Sequence, residues 1–268
     1  MFGGIVRRMR GAAAESEGTA SRTPDGTRIY AIGDIHGRDD LLGELLARVE
    51  EDARQAGPAR NFLIYLGDYV DRGLQSRQVL ERLTGGAPRG FEAVHLKGNH
   101  EAAMLDFLRD AQTGRSWKYY GGLETLHSYG VQDLALSDNA EGFEEARGAF
   151  ERALPETHRR FLEALPLSVE FGDYYFAHAG VRPGVALARQ VEEDLLWIRD
   201  DFLESRASFG KIVVHGHTPR EEAVFRPNRI GIDTGAYMTG VLTCLVLEGV
   251  SRRLVQTGDQ ATLRKAAY

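Results

Sequence analysis

Three times within its first 108 residues, the chain sends a short apolar run into a glycine, then into Asp or Asn, and then into apolar residues at helical spacing. The first unit is Ile29-Tyr30-Ala31-Ile32 and Gly33-Asp34-Ile35-His36-Gly37, followed by Leu41, Leu42, Leu45, Leu46 and Val49. The second takes Phe62 to Leu66 into Gly67-Asp68-Tyr69-Val70-Asp71-Arg72-Gly73 and on to Val79, Leu80 and Leu83. The third starts at Phe91, passes through Ala93-Val94-His95-Leu96 into Gly98-Asn99-His100-Glu101, and continues with Met104, Leu105, Phe107 and Leu108. Each reads as strand, loop, helix. Successive units of this kind lay their strands into a largely parallel or mixed sheet covered by helices.

Residues 115 to 165 carry no such strand pattern. Phe143, Ala146, Phe150, Phe161, Leu162 and Leu165 mark the apolar faces of a helical insertion beside the sheet. The C-terminal third is strand-like again, in runs at 167–171, 174–177, 212–215, 223–226, 230–233 and 242–247. A second sheet packed on the first is the simplest way to bury them. Cys244 falls in the last run and reads as a small buried hydrophobe. Residues 1 to 24 are rich in Ala, Gly, Ser, Thr and Arg without periodicity, so a flexible tail is expected there, with 25 to 268 forming one domain.

Composition narrows the functional classes. The 268 residues are 43% hydrophobic and carry a formal net charge of -6, so nothing in the global balance offers the affinity for phosphate backbones that a nucleic-acid binder needs. A single cysteine rules out an intramolecular disulfide and a thiolate metal cluster, and suits a reducing cytoplasm. Arg7, Arg8 and Arg10 precede a stretch too short and polar for a signal peptide, and no run approaches the roughly 18 apolar residues of a membrane span. A cytoplasmic protein with no membrane or nucleic-acid partner is expected.

The three glycine loops hold the chemistry. Loops at the ends of parallel strands converge on one edge of a sheet. Glycine permits tight backbone there, while Asp, His and Asn supply the oxygen and nitrogen donors that suit divalent Mn, Fe or Zn. Ala177-His178-Ala179-Gly180 and His215-Gly216-His217-Thr218 end two later strand-like runs in the same style. Any one of these clusters is ordinary turn punctuation. Five together, four of them containing histidine, point to a metal site.

These five motifs resemble those of the calcineurin-like metallophosphoesterase superfamily. Gly67-Asp68-Tyr69-Val70-Asp71-Arg72-Gly73 is similar to the corresponding motif of the phosphoprotein phosphatase family, bacterial serine/threonine protein phosphatases in particular. The resemblance covers about residues 28 to 248. It implies an α/β fold of two packed mixed sheets flanked by helices, a four-layer αββα sandwich. It also implies two divalent ions, manganese by expectation with iron or zinc as alternatives. Asp34 and His36 would hold the first, Asp68 would bridge both, and Asn99, His178 and His217 would hold the second. A hydroxide between the ions would attack phosphorus directly. His100, oriented by Asp71, would protonate the leaving oxygen, and Arg72, Arg199 and Asn99 would bind the substrate phosphate.

Glu101 reads as an acid favoured by the helix N-terminus, His215 as structural, His95 as a core or partly buried histidine, and His127 and His158 as surface residues. Asp233 is a candidate partner for a ligand histidine, in a stretch Ile232 to Ala236 that, like Gly121 to Leu126, supports the phosphatase comparison. The expected substrate is a phosphorylated protein or peptide. A symmetrical dinucleoside tetraphosphate hydrolase or another small-molecule phosphoesterase of the same fold is the alternative. A binding module without activity would have lost a ligand or the proton donor, and here every expected position is filled.

Overall fold

The computed structural model describes residues 21–131 and 139–258. The three units fold in the order β1 (Thr27–Ile32), α1 (Asp39–Gln55), β2 (Arg60–Tyr65), α2 (Ser76–Thr84), β3 (Phe91–His95) and α3 (Asn99–Arg109). α1 shows why the pattern works: Leu41, Leu42, Leu45, Leu46 and Val49 lie on its buried face, and Asp39 and Asp40 occupy the first turn, where the helix dipole favours acids.

The insertion contributes α4 (Gly114–Trp117), α5 (Gly122–Ser128), α6 (Ala140–Ala153) and α7 (Glu156–Glu163). It is no appendage, because Trp117, Leu126, Tyr129, Phe150 and Leu162 are buried in the same core as α1 to α3. His158 is corrected by this packing. It is only 2% exposed, with Nδ1 2.8 Å from the hydroxyl of Tyr129, because α7 turns that face inward.

The remaining elements are β4 (Ser168–Phe171), β5 (Tyr174–Ala177), α8 (Glu192–Trp197), α9 (Asp200–Leu203), β6 (Ile212–His215), β7 (Val224–Phe225), β8 (Arg229–Gly231), α10 (Ala236–Thr239), β9 (Thr243–Glu248) and β10 (Ser251–Gln256). Together with β1 to β3 their strands form two five-stranded mixed sheets, ordered β10-β9-β1-β2-β3 and β4-β5-β6-β8-β7. The run at 242–247 therefore does not join the second sheet. As β9 it pairs antiparallel with β1, Cys244 opposite Ile32, and Arg28, fully buried, is matched across that pair by the Glu248 carboxylate at 2.8 and 2.9 Å. β10 continues the same sheet as a strand that its polar, arginine-containing sequence does not announce.

Alternation along β1 separates the layers. Ile29 and Ala31 face the second sheet and meet Phe176, Val214 and Ile230, whereas Tyr30 and Ile32 face α1, α2 and α3. On the far side of the second sheet, Tyr175, Ala177 and Val213 are covered by Leu195 of α8, Phe202 of α9 and Ile198 between them. The result is an αββα sandwich whose parallel neighbours, β1 with β2 and β3, and β5 with β6 and β8, end along one edge.

Residues 1–20 of the expected tail lie outside the described residues, and within 21–24 Arg22 and Thr23 are hydrogen-bonded to the sandwich. The Thr23 N–H donates to the Gly249 carbonyl at 3.0 Å, its hydroxyl accepts from Gly249 N–H at 2.9 Å, and Arg22 N–H donates to Asp173. Among the described residues no helix is long and apolar enough to cross a membrane.

Candidate metal centre and active site

The five loops leave that shared edge and are stitched to one another. The backbone N–H groups of Ile35 and His36 both donate to the Asp68 carbonyl, at 3.0 and 2.8 Å, joining the first loop to the second. Gly216 N–H donates to the His178 carbonyl at 2.8 Å, and His217 N–H donates to Asp34 Oδ2 at 2.9 Å, joining the loops of the second sheet to each other and to the first sheet. Two glycines are demanded by how closely these loops approach. A Cβ on Gly216 would lie 2.0 Å from Asp34 Oδ1, and one on Gly98 would lie 2.2 Å from Asp68 Oδ1.

His36, Asp68, Asp71, Arg72 and His217 are the non-glycine residues with positive φ among the described residues, and all five belong to these loops. Side-chain-bearing residues held in that region cost about 1–3 kcal/mol each and persist where the surrounding structure over-determines them. Strain in this fold is concentrated at one place.

The donor atoms converge. Asp68 Oδ2 is 3.5 Å from His36 Nε2, while its Oδ1 is 3.3 Å from His178 Nε2, so the two oxygens face different sides. Asn99 Oδ1 lies 2.8 Å from His178 Nε2 and 2.9 Å from His217 Nδ1. His36 and His178 place Nδ1 against the carbonyls of Val70 and Leu66, at 3.0 and 2.9 Å. An N–H donated there leaves each Nε2 as a lone-pair donor turned into the cluster. Asp34 Oδ1 is buried without a hydrogen-bond partner.

The electrostatics agree with a cation-binding role. Burial drives the Asp34 carboxyl well above the usual range, and the nearby charges of Asp233 and Asp68 push it the same way. Burial also opposes charge on Asp68, but His178 and His100 outweigh it and hold this carboxyl well below its ordinary value. Burial lowers His36 to about 3, keeping it neutral as a ligand must be. The carboxylates of Asp34 and Asp68, the first with a buried unpaired oxygen, the Asn99 side-chain oxygen and the imidazoles of His36, His178 and His217 make a donor set that fits divalent cations, and burial keeps His36 and His217 neutral while the Asp68 carboxylate raises the pKa of His178.

His100 lies close enough to Asp68 to be grouped with His36 as a third donor, its Nε2 being 3.8 Å from Asp68 Oδ2. Its surroundings differ from those of the other histidines. Nδ1 is 2.7 Å from Asp71 Oδ2, and although burial alone would lower its pKa, the carboxylates of Asp68 and Asp71 raise it to about 8. Arg72 extends over the same space, with guanidinium nitrogens 3.1 Å from His36 Nε2 and 3.3 Å from His100 Nε2. The Tyr237 ring lies 4.8 Å beneath it. Arg199 is exposed at the start of α9 and makes no ion pair with Asp200, Asp201 or Glu204 among the described residues, while its charge contributes to the lowered pKa of His217.

Sequence reasoning missed the supports of Asp71. Trp117 Nε1–H donates to Asp71 Oδ2 at 2.8 Å, the Thr125 hydroxyl donates to Asp71 Oδ1 at 2.6 Å, and Asp71 N–H is shared by Thr125 and Ser76 hydroxyl oxygens at 2.8 and 3.1 Å. This explains the Gly121 to Leu126 stretch: Thr125 holds Asp71, and Gly121, at φ 101, accepts an N–H from Arg72.

Glu101 is more than a helix-terminal acid. One oxygen accepts from Gly98 and Asp68 N–H at 2.8 Å each, the other from Tyr69 and Val70 N–H at 2.7 and 3.3 Å. Burial and the Asp68 charge push its carboxyl up to about 7 against the pull of these donors. With only donors around it, the carboxylate is the form the pocket accepts. Asp233 Oδ1 accepts from Gly235 N–H at 2.9 Å and, among the described residues, Asp233 bonds no histidine, so its part is to shape the turn and add charge beside Asp34. His215, buried against Phe202, and His95, stacked on Tyr65 at 4.7 Å, are packing residues.

A model of the calcineurin-like phosphoesterase family matches residues 27–239. Over 233 residues the chain is 28% identical to the asymmetrical bis(5'-nucleosyl)-tetraphosphatase PrpE of Anoxybacillus flavithermus, covering 80% of this chain and 88% of that protein. Over 223 residues it is 29% identical to serine/threonine-protein phosphatase 2 of Salmonella typhimurium, covering 80% and 90%. The structure of a cold-active protein tyrosine phosphatase superposes with a TM-score of 0.55 at 17% identity, over 87% of this chain and 81% of that one, a likeness of fold.

Proposed function

The chain belongs to the calcineurin-like phosphoesterase family, and on that premise we propose that it is a metal-dependent phosphatase hydrolysing phosphoserine and phosphothreonine in proteins or peptides. The observation that carries the reading is the Asp71–His100 contact of 2.7 Å beside Asp68. A serine or threonine alkoxide is a poor leaving group and needs a proton, whereas a phosphoanhydride releases a far more stable anion. A dedicated, carboxylate-held imidazole therefore suits a phosphomonoester of an alcohol.

In this reading Asp34, His36 and Asp68 hold one divalent ion, and Asp68, Asn99, His178 and His217 hold a second, with manganese the expected metal. When bound, such ions neutralise charge on phosphate oxygens and acidify water. The chain's own groups supply the rest. Arg72 and Arg199 donate to the phosphate oxygens and set its orientation, with Asn99 beside them. His100 delivers a proton from Nε2 to the leaving oxygen, and Asp71 fixes the ring and stabilises its charged form. Trp117 and Thr125 fix Asp71.

Because one full-length relative is named a dinucleoside tetraphosphatase, that activity is the second reading, in the asymmetrical form as well as the symmetrical one expected from the motifs. Initial rates with added manganese on phosphoserine, phosphothreonine and phosphotyrosine peptides and on diadenosine tetraphosphate decide between them. A kcat/KM for the dinucleotide well above that for every phosphopeptide would overturn the protein-phosphatase reading.

A further inference from the structure

Away from the metal centre, a cleft of about 470 Å³ opens between the segment after α9 and the β7–β8 turn. Arg206, Arg226 and Arg229 line it together with one carboxylate, Glu204, and it contains none of the residues assigned to the active site. The two walls are tied together, since the Asn228 amide donates to the carbonyls of Ser205 and Ala207 at 2.9 Å each.

Arg229 makes the cleft unusual. It is 9% exposed, its Nε is buried without a hydrogen-bond partner, and among the described residues no carboxylate forms an ion pair with it, with Arg206, with Arg226 or with nearby Arg220. Arg28 shows what a buried arginine in this protein otherwise receives: two oxygens of Glu248 and the carbonyls of Ala56 and Gly57. The charges acting on Arg229 are instead those of Arg226 and Arg220, which add to burial in lowering its pKa. The Phe202 ring, 5.9 Å from the guanidinium carbon, offers contact but no acceptor.

A buried guanidinium N–H without an acceptor is costly, and surrounding it with like charge adds to the cost. In a chain with 39 acidic residues against 33 basic ones, so many unpaired arginines at one cleft call for an anion from outside. One carboxylate is satisfied by a single guanidinium fork. Several forks around one space match a dianion with three terminal oxygens. We propose that this cleft is a second anion site that binds a phosphate group on Arg206, Arg226 and Arg229, separate from the metal centre.

The test is calorimetric titration of the full-length, metal-loaded protein with inorganic phosphate, a non-hydrolysable phosphonate analogue of phosphoserine, and acetate at constant ionic strength, beside Arg206→Ala, Arg226→Ala and the double variant. Wild-type protein should bind phosphate at two classes of site. The double variant should lose one class, weakened by at least about tenfold, with turnover of para-nitrophenyl phosphate unchanged. The phosphonate competing with phosphate for that class would assign the site to carried phosphoryl groups, and its failing to compete would assign it to the free ion. Identical phosphate isotherms for wild-type and double variant, or acetate binding there as tightly as phosphate, would overturn the proposal. Both substituted arginines are exposed, so the variants test binding without disturbing the core.

Discussion

Replacing Glu101 with glutamine changes almost no volume but removes an acceptor from a position where four backbone N–H groups converge. The amide supplies one oxygen and one NH₂. Whichever way it turns, the NH₂ confronts two donors, either Gly98 and Asp68 or Tyr69 and Val70. A buried donor left without an acceptor costs about 1–3 kcal/mol, so the pair costs about 2–6 kcal/mol. At about 2–4 °C per kcal/mol for a domain of this size, the thermal midpoint should fall by about 4–24 °C. The same clamp holds Asp68 at φ 53, so the variant should also lose bound metal although no ligand has been touched. Circular dichroism melts with and without excess chelator, together with metal analysis, separate the two effects. A midpoint within about 1 °C of wild type and full metal content would refute the clamp. A lower midpoint with metal and turnover intact would reduce Glu101 to a helix cap.

His100→Asn should keep its metals, lose about 10²–10⁴-fold on phosphoserine peptides, and lose much less on para-nitrophenyl phosphate, whose leaving group needs no proton. Equal losses would exclude proton donation. Trp117→Phe removes the Nε1–H bond to Asp71 but keeps a ring against Phe107, so phosphoserine turnover should fall about tenfold with the aryl ester nearly unaffected; parallel losses on both substrates would make Trp117 a packing residue only. Arg199→Ala should impair turnover with metal content unchanged, and an unchanged kcat/KM on phosphopeptides would make Arg199 a surface residue. His95 is held neutral, with burial lowering its pKa to about 4, so folding stability is full above the unfolded value of about 6.5 and falls as pH drops from there toward 4. His95→Phe should remove up to about 2 kcal/mol of the acid destabilisation at pH 5, read by urea denaturation at pH 7 and pH 5.

The loops that carry the site were legible because their information is local: an apolar run, a glycine and a ligand-type side chain occupy adjacent positions. The five clusters stand out that way, the family resemblance singles out Asp34, His36, Asp68, Asn99, His178 and His217 within them, and the loops that carry these residues meet in the structure. What joins distant segments was not legible. Asp71 and Thr125 are 54 residues apart, and Glu101 reaches back 33 residues to Asp68, with nothing in either local pattern to reveal the pairing. β9 carries an apolar run indistinguishable from those of the second sheet, and its pairing with β1, where Arg28 meets Glu248, joins segments 220 residues apart. His158 looked superficial because a helical face is only as buried as its neighbour makes it.

The placement of β9 has a consequence for how the chain is made. β1 pairs on one side with β2, about thirty positions along, and on the other with β9, more than two hundred positions along. A ribosome releasing residues in order delivers β2 soon after β1 and β9 more than two hundred residues later, so Ile29 to Ile32 wait through that interval with one row of backbone N–H and C=O groups open. Contacts of such wide separation form slowly, and an exposed apolar strand edge is a template for pairing with other chains. Prematurely terminated or clipped chains would carry every ligand of the metal centre and still lack the strand that closes the sheet beneath it. Their expected fate is association with one another rather than weak activity.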